Sequence, residues 1–150
     1  MVNKFLMREA FNNNNVSSPR YATIDREEFN CEILEGFELP LIVKPVDRSG
    51  SRGVTRINSS NLLAEAAKLA INESFQKRAI IEEFIEGDEI SVEAISINGN
   101  HRILAFTDKL TTGFPNYIEV GHTQPSKYWK SIIHQKILNE TYKALDSLNP

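Results

Sequence analysis

Apolar and polar positions along the chain alternate between two periods, and the switches mark its elements. Residues 4–13 carry Phe5, Met7, Arg8 and Phe11 at spacings that suit an amphipathic helix, and Asn12 to Asn15 with Ser17-Ser18-Pro19 stop it. Arg20 to Ile24 reads as a short strand. Asp25 then caps a helix to about Leu34, with Glu28 as its box partner and Gly36 to end it. Leu41 to Val46 is an apolar strand interrupted only by Lys44, and Val54 to Ile57 is another short strand. Ser59 or Ser60 caps what reads as the longest helix, with Leu62, Leu63, Ala66, Ala67, Leu69 and Ala70 as its apolar stripe. Ala79 to Ile85 returns to strand. Glu89 to Ile97 alternates, with Glu89, Ser91 and Glu93 on one face and Ile90, Val92 and Ala94 on the other. Asn98-Gly99 is a hairpin turn, His101 to Lys109 its return strand, Thr111 to Pro115 a loop and 117–122 a further strand. Ser126 caps a last helix through about Leu145.

The order α, β, α, β, loop, β, α, β, β, β, α predicts an α+β fold, with short βα units leading into an antiparallel meander. The pattern leaves room for a cleft between two small lobes whose boundary falls near Ile85 to Gly87. At 150 residues the chain is about one domain, large enough for a real core. Its net charge of −3 argues against a nucleic-acid partner. No apolar run approaches the roughly 18–20 residues of a membrane span, and MVNKFLMREAF lacks the features of a secretory leader. The single cysteine, Cys31, excludes an internal disulfide framework and reads as a small core filler in a cytoplasmic protein.

The segment LIVKPVDRSGSRGV, Leu41 to Val54, carries the clearest chemistry. An apolar strand delivers Lys44 into a Pro-capped turn, and a donor-rich loop of glycines, serines and arginines follows. A strand lysine beside such a loop suits a polyphosphate, since glycines let backbone N–H groups close on phosphate oxygens. An edge or snorkelling lysine and an ordinary turn are the plainer alternatives. The spacing is neither that of the dinucleotide fingerprint nor that of the P-loop. A second segment, Glu82-Glu83-Phe84-Ile85-Glu86-Gly87-Asp88-Glu89, ends a strand in a carboxylate pair, an aromatic and a glycine turn. It is either an acidic connection facing solvent or a backbone edge for a purine, with Ile85 against the ring and Glu89 accepting from ribose hydroxyls. Lys4, Glu93, Lys109 and His122 are weaker candidates, and His101 and His134 are assigned nothing.

Together these segments resemble the ATP-grasp superfamily, above all its carboxylate–amine ligase branch, which includes biotin carboxylase, the carbamoyl-phosphate synthetase large chain and the amino-acid ligases. NKFLMREAFNNNNVSSPRYATID resembles the family's opening lysine and helix, LIVKPVDRSGSRGV its phosphate loop, AIIEEFIEGDEISVEAI its hinge and ribose strands, and AFTDKLTTGFPNYIEVGHTQPS its acceptor side. The resemblance implies a smaller α/β lobe over about 1–85 and the start of a larger antiparallel lobe over about 86–150. It implies ATP as the nucleotide: Lys4 and Lys44 on the phosphates, Ser49, Gly50, Ser51, Gly53 and Val54 as the mobile loop, Glu82, Glu83, Phe84 and Ile85 around the adenine, Glu89 on the ribose, and His122 near the ribose or acceptor. It also implies activation of a carboxylate as an acyl phosphate for attack by an amine or other nucleophile. The family's Mg²⁺ strands find no match here, Glu140 and Asp146 included, so the metal ligands are expected outside this chain. The expectation is therefore a partial domain, inactive in ligation by itself and prone to self-association through an unpaired sheet edge. A non-catalytic nucleotide-binding, regulatory or assembly module of the same fold is the alternative. The carboxylate and amine substrates are not legible.

Overall fold

The computed structural model describes residues 3–25, 31–113 and 117–148. The chain divides into two compact units. One is Met1–Arg8, Pro19–Glu86 and Gly113–Ile118, and the other is Glu9–Ser18, Gly87–Thr112 and Glu119–Pro150.

The first unit is built on a four-stranded sheet of order β1-β4-β2-β3, from β1 (Tyr21–Ile24), β2 (Leu41–Pro45), β3 (Thr55–Ile57) and β4 (Ala79–Glu83). Every ladder in it is antiparallel, so the βα units expected from the element order do not form parallel pairs. Strand β2 alternates: Leu41, Val43 and Pro45 are buried, while Ile42 and Lys44 take the other face. On the buried face lies α2 (Leu63–Glu73), whose Leu63, Ala66, Ala67, Ala70 and Ile71 pack with Ile24, Val43, Ile57 and Ile81 into the core. The small alanines bring the helix close to the sheet.

Leu62 and Leu69, expected in that apolar stripe, are exposed. Leu62 belongs to a short 3₁₀ turn at Ser60–Leu62, capped by Ser59, and α2 begins one residue later. The expected helix from Asp25 lies partly outside the described residues, as does the Cys31 side chain. What is described of it, Cys31–Leu34, is a single 3₁₀ turn. The first helix, α1 (Lys4–Asn13), starts where Asn3 Oδ1 accepts from the N–H groups of Phe5 and Leu6, a side-chain N-cap.

The second unit carries a three-stranded antiparallel sheet of order β5-β6-β7, from β5 (Ile90–Ile97), β6 (Asn100–Thr111) and β7 (Glu119–Thr123). The Asn98-Gly99 hairpin joins β5 to β6, with Asn98 and Gly99 both at positive φ. A bulge at Glu93/Ala94 breaks the alternation that the sequence predicts to run unbroken. Beyond it Ile95 and Ile97 are exposed.

On one face Phe106 is buried against the edge of Trp129, with His134 beside both. His134 opens α3 (His134–Ser147), the longest helix of the described residues. Ser126 does not cap it. Its hydroxyl hydrogen-bonds Asp108 and accepts from the N–H of Tyr128, and its own N–H donates to Phe106 O. Those contacts hold residues 126–131 in turns, so the helix begins eight residues later, at His134, with Ile133 at the N-cap position and no side-chain cap.

Candidate functional site

Three cations and one carboxylate gather on the first unit. Lys44 lies on the sheet face opposite α2, and the β2–β4 register sets Glu82 across from Ile42, two residues along on that same face. Lys44 Nζ meets Glu82 Oε2 at 2.6 Å. Arg8, from α1, grips the same carboxylate at two points, Nε to Oε1 at 2.8 Å and Nη2 to Oε2 at 3.2 Å. Lys4 stands one helical turn before Arg8 on the same face of α1. Its backbone N–H donates to Val46 O at 2.7 Å, and its Nζ donates to Arg48 O at 2.5 Å. Both ends of Lys4 are thus tied to the exit of β2.

The electrostatics are uneven. Glu82 is only 4% exposed. Burial pushes its carboxyl up, but the Arg8 hydrogen bond and the charges of Lys44 and Arg8 outweigh that and hold it below the usual carboxylate range. Burial lowers the Lys4 ammonium, and the Lys44 charge lowers it further, against the pull of Asp47 and Glu82. Asp47 is itself engaged: its carboxylate accepts from the N–H groups of Phe75 and Gln76 at 3.2 and 2.8 Å. Hydrogen bonding leaves the Asp47 charge in place, so three cations face two carboxylates, and a surplus of positive charge is left in a partly desolvated place.

The loop after β2 is turned outward. Ser49, Gly50 and Ser51 are exposed, with Gly50 and Ser51 at φ of 66° and 55°. Gly53, at φ 67°, is different in kind. A Cβ there would stand 3.0 Å from Glu73 Cβ and from Pro45 Cγ, so the loop end is packed where its tip is open. Val54 follows at the mouth of β3.

At the other segment, β4 ends at Glu83 rather than Ile85. Glu82 is buried, against the solvent-facing alternative. The N–H of Glu83 donates to Arg20 O, and that of Phe84 to Pro40 O. Phe84 stacks on Tyr117 at 5.6 Å with the Arg56 guanidinium 4.3 Å from its ring centre. Ile85 is 67% exposed, an apolar side chain without cover in its own unit.

On the second unit, Glu89, Lys109, Glu119 and His122 form one cluster. Lys109 stands opposite His122 in the β6–β7 ladder. Its Nζ pairs with Glu89 and, at 3.0 Å, with Glu119, whose other oxygen lies 2.9 Å from His122 Nε2. Burial lowers the Lys109 ammonium, but hydrogen bonds to the two carboxylates more than offset it and hold it above the usual lysine range. Thr107, on the same face as Lys109, donates to Glu93, which also accepts from Ser91. Glu93 is thereby a satisfied strand carboxylate.

The family model for the ATP-grasp domain matches residues 1–150. The chain belongs to the ATP-grasp domain family. Among curated relatives of this family member, a phosphoribosylamine–glycine ligase of Methanosphaera stadtmanae is 26% identical, over 96% of this chain and 37% of the relative. A D-alanine–D-alanine ligase of Geobacter sulfurreducens is 29% identical, over 78% of this chain and 39% of the relative. Among solved structures, the L-amino acid ligase of Bacillus licheniformis superposes with a TM-score of 0.77 at 26% identity, over 99% of this chain and 34% of that one. The chain thus spans well under half the length of the proteins it matches.

The surplus of positive charge around Glu82 is chemistry that suits an anion. The Arg48 side chain belongs elsewhere: its guanidinium lies over the Phe75 ring at 4.3 Å and pairs with Glu73 at 3.6 Å, and only its backbone oxygen meets Lys4. Among the described residues no group of three or more His, Cys, Asp and Glu is arranged to hold a metal ion. No described helix is long and apolar enough to cross a membrane. Sequence reasoning left Arg8 as one more position on a helix face and gave Asp47 no role. The signal for Arg8 was there, because its spacing of four from Lys4 sets two cations on one helix face.

Proposed function

We propose that this chain binds ATP and supplies nucleotide-binding residues to a ligase that joins a carboxylate to an amine. The observation that carries this reading is the pairing of Lys4 and Lys44 beside Glu82, where three cations meet the two buried carboxylates Glu82 and Asp47 and leave a positive surplus suited to phosphate oxygens. In the proposed reaction ATP supplies the phosphoryl group that activates the carboxylate as an acyl phosphate, which the amine then attacks. Lys4 and Lys44 hold the phosphates and draw off their developing charge. The exposed tip of the loop, Ser49 to Ser51, closes over them with backbone donors, while Gly53 and Val54 anchor its base. The segment Glu82 to Ile85 takes the adenine, with Ile85 as the apolar surface for the ring. Glu89 accepts from ribose hydroxyls, and His122 serves the ribose or the acceptor. Metal ligands come from residues outside this chain, and ligation needs them, so the chain by itself binds without turning over. The relatives' names support the class of reaction; the particular carboxylate and amine are not part of the proposal.

Calorimetric titration with an unreactive ATP analogue, with and without Mg²⁺, tests it. Binding by the wild-type chain is expected, and Lys44→Ala should weaken it by about 1.5–3 kcal/mol, the worth of a charge-assisted hydrogen bond. A folded wild-type chain with no affinity for the analogue would count against the reading. ATP-dependent amide formation by this chain alone would overturn its second half.

A further inference from the structure

Glu82 has two cationic partners where one would neutralise it, and they hold it differently. Lys44 touches one oxygen, Oε2, at 2.6 Å through a single ammonium. Arg8 reaches both oxygens with the two arms of a planar fork, at 2.8 and 3.2 Å. At 4% exposure the carboxylate cannot turn to water for a replacement partner. If Lys44 were its only counter-ion, moving Nζ toward a phosphate would strand a buried charge, which is strongly unfavourable. With Arg8 in place both oxygens remain paired when Lys44 leaves.

Resting on the ATP-binding reading above, we infer that Arg8 is a positioning residue of the nucleotide site, one that grips Glu82 at two points so that Lys44 is free to turn to a phosphate oxygen. Arg8 acts through Glu82 and Lys44 and needs no contact with the ligand. The placement serves this. Arg8 sits on the helix that also carries Lys4, so one rigid element delivers both a cation for the phosphates and the clamp that frees a second. Lys4 is already committed at its backbone to Val46, which fixes that helix to the end of β2.

The test is calorimetric binding of inorganic tripolyphosphate, which reports on the cations without the base, by the full chain and four variants. Circular dichroism and thermal melts establish that each is folded. The wild type should bind tripolyphosphate. Arg8→Ala should bind at least tenfold more weakly, since Lys44 is then held by Glu82. Arg8→Lys, which keeps the charge and loses the fork, should lose several-fold. Glu82→Gln should bind at least threefold more tightly than wild type, and Arg8→Ala/Glu82→Gln should recover to within threefold of wild type. A merely structural role for Arg8 predicts the opposite for the double variant, which loses both ion-pair partners and would bind no better than Arg8→Ala.

Wild-type affinity in Arg8→Ala or in Arg8→Lys, or no recovery in the double variant, would overturn the inference and leave the ATP-binding reading standing. If Arg8→Ala fails to fold, Glu82→Gln and Arg8→Lys decide, and binding by Glu82→Gln no tighter than wild type overturns it. A wild-type chain that binds neither tripolyphosphate nor the ATP analogue removes the underlying reading, and the inference with it.

Discussion

Glu82 and Asp47 are the two buried carboxylates among the described residues of the first unit, and they make the protein's acid stability a residue-scale matter. Burial is the largest single influence and raises each, but several interactions together outweigh it and lower each below its ordinary value. For Glu82 these are the Arg8 hydrogen bond and the Lys44 and Arg8 charges; for Asp47 they are hydrogen bonds from Gln76, Ser74 and Phe75. A depressed folded value means that the unfolded chain binds the proton more readily. The stabilisation is present above the ordinary values of 4.5 and 3.8 and is lost as pH falls through the folded ones. The urea midpoint should therefore stay level from neutral pH to about pH 5 and fall below that. Glu82→Gln should start less stable and show a shallower acid fall, because one of the two protonations is gone. An equal fall in the variant would mean that Glu82 contributes nothing to it. Lys44 was legible in the sequence because a lysine in an apolar strand requires an explanation. Its partner was not, because Glu82 lies 38 residues away and reads equally well as a solvated acidic turn.

At the scale of elements, the loop between β2 and β3 separates into an exposed tip, where Ser51 Oγ donates to Tyr117 O at 3.2 Å, and a packed base, and its two glycines distinguish them. Gly50 and Gly53 both sit at positive φ, but a Cβ at Gly50 meets nothing within 4 Å, whereas at Gly53 it meets Glu73 and Pro45. Gly50→Ala should cost about 1 kcal/mol, the backbone strain alone. Gly53→Ala should cost more, about 2–3 kcal/mol, because strain and overlap add. Chemical denaturation of both variants checks this, and equal losses would show the base to be as loosely held as the tip. In composition the loop reads as uniformly flexible, since glycines and serines signal turns without saying which of them touches a helix. The start of α3 carries a similar lesson. Ser126 is a good cap by propensity and does accept from the N–H of Tyr128, but it also donates to Asp108, 18 residues before it, and closes only the turn that follows it; α3 starts later, uncapped.

For the whole molecule, the sheet of the second unit matters most. Its outer strands β5 and β7 each have one paired neighbour among the described residues. Past the bulge β5 exposes Ile95 and Ile97, the latter at 66%. An open strand edge beside exposed β-branched side chains is a template for pairing with another copy. Sedimentation velocity over a wide concentration range should show reversible self-association, and Ile97→Lys should weaken it at least several-fold. A monomer at every concentration would sink this expectation.

The chain's own periodicities determined that α1, α2 and seven strands form and that Asn98-Gly99 closes a hairpin in an α+β protein, while the order of its short motifs carries the resemblance to the ATP-grasp family. All of these depend on neighbours within a few positions or on the order of short motifs, and such information is written along the chain. Tertiary structure alone decided that the four-stranded sheet runs β1-β4-β2-β3 with every ladder antiparallel. It alone decided that Leu62 and Leu69 stay exposed, and that Lys4, Arg8 and Lys44 surround Glu82. Helix period and strand alternation assign a side chain to a face, but they do not say which distant element covers that face. Arg8 and Glu82 are 74 positions apart. Their pairing exists because β4 is inserted between β1 and β2, which sets a strand's carboxylate beneath a helix's guanidinium.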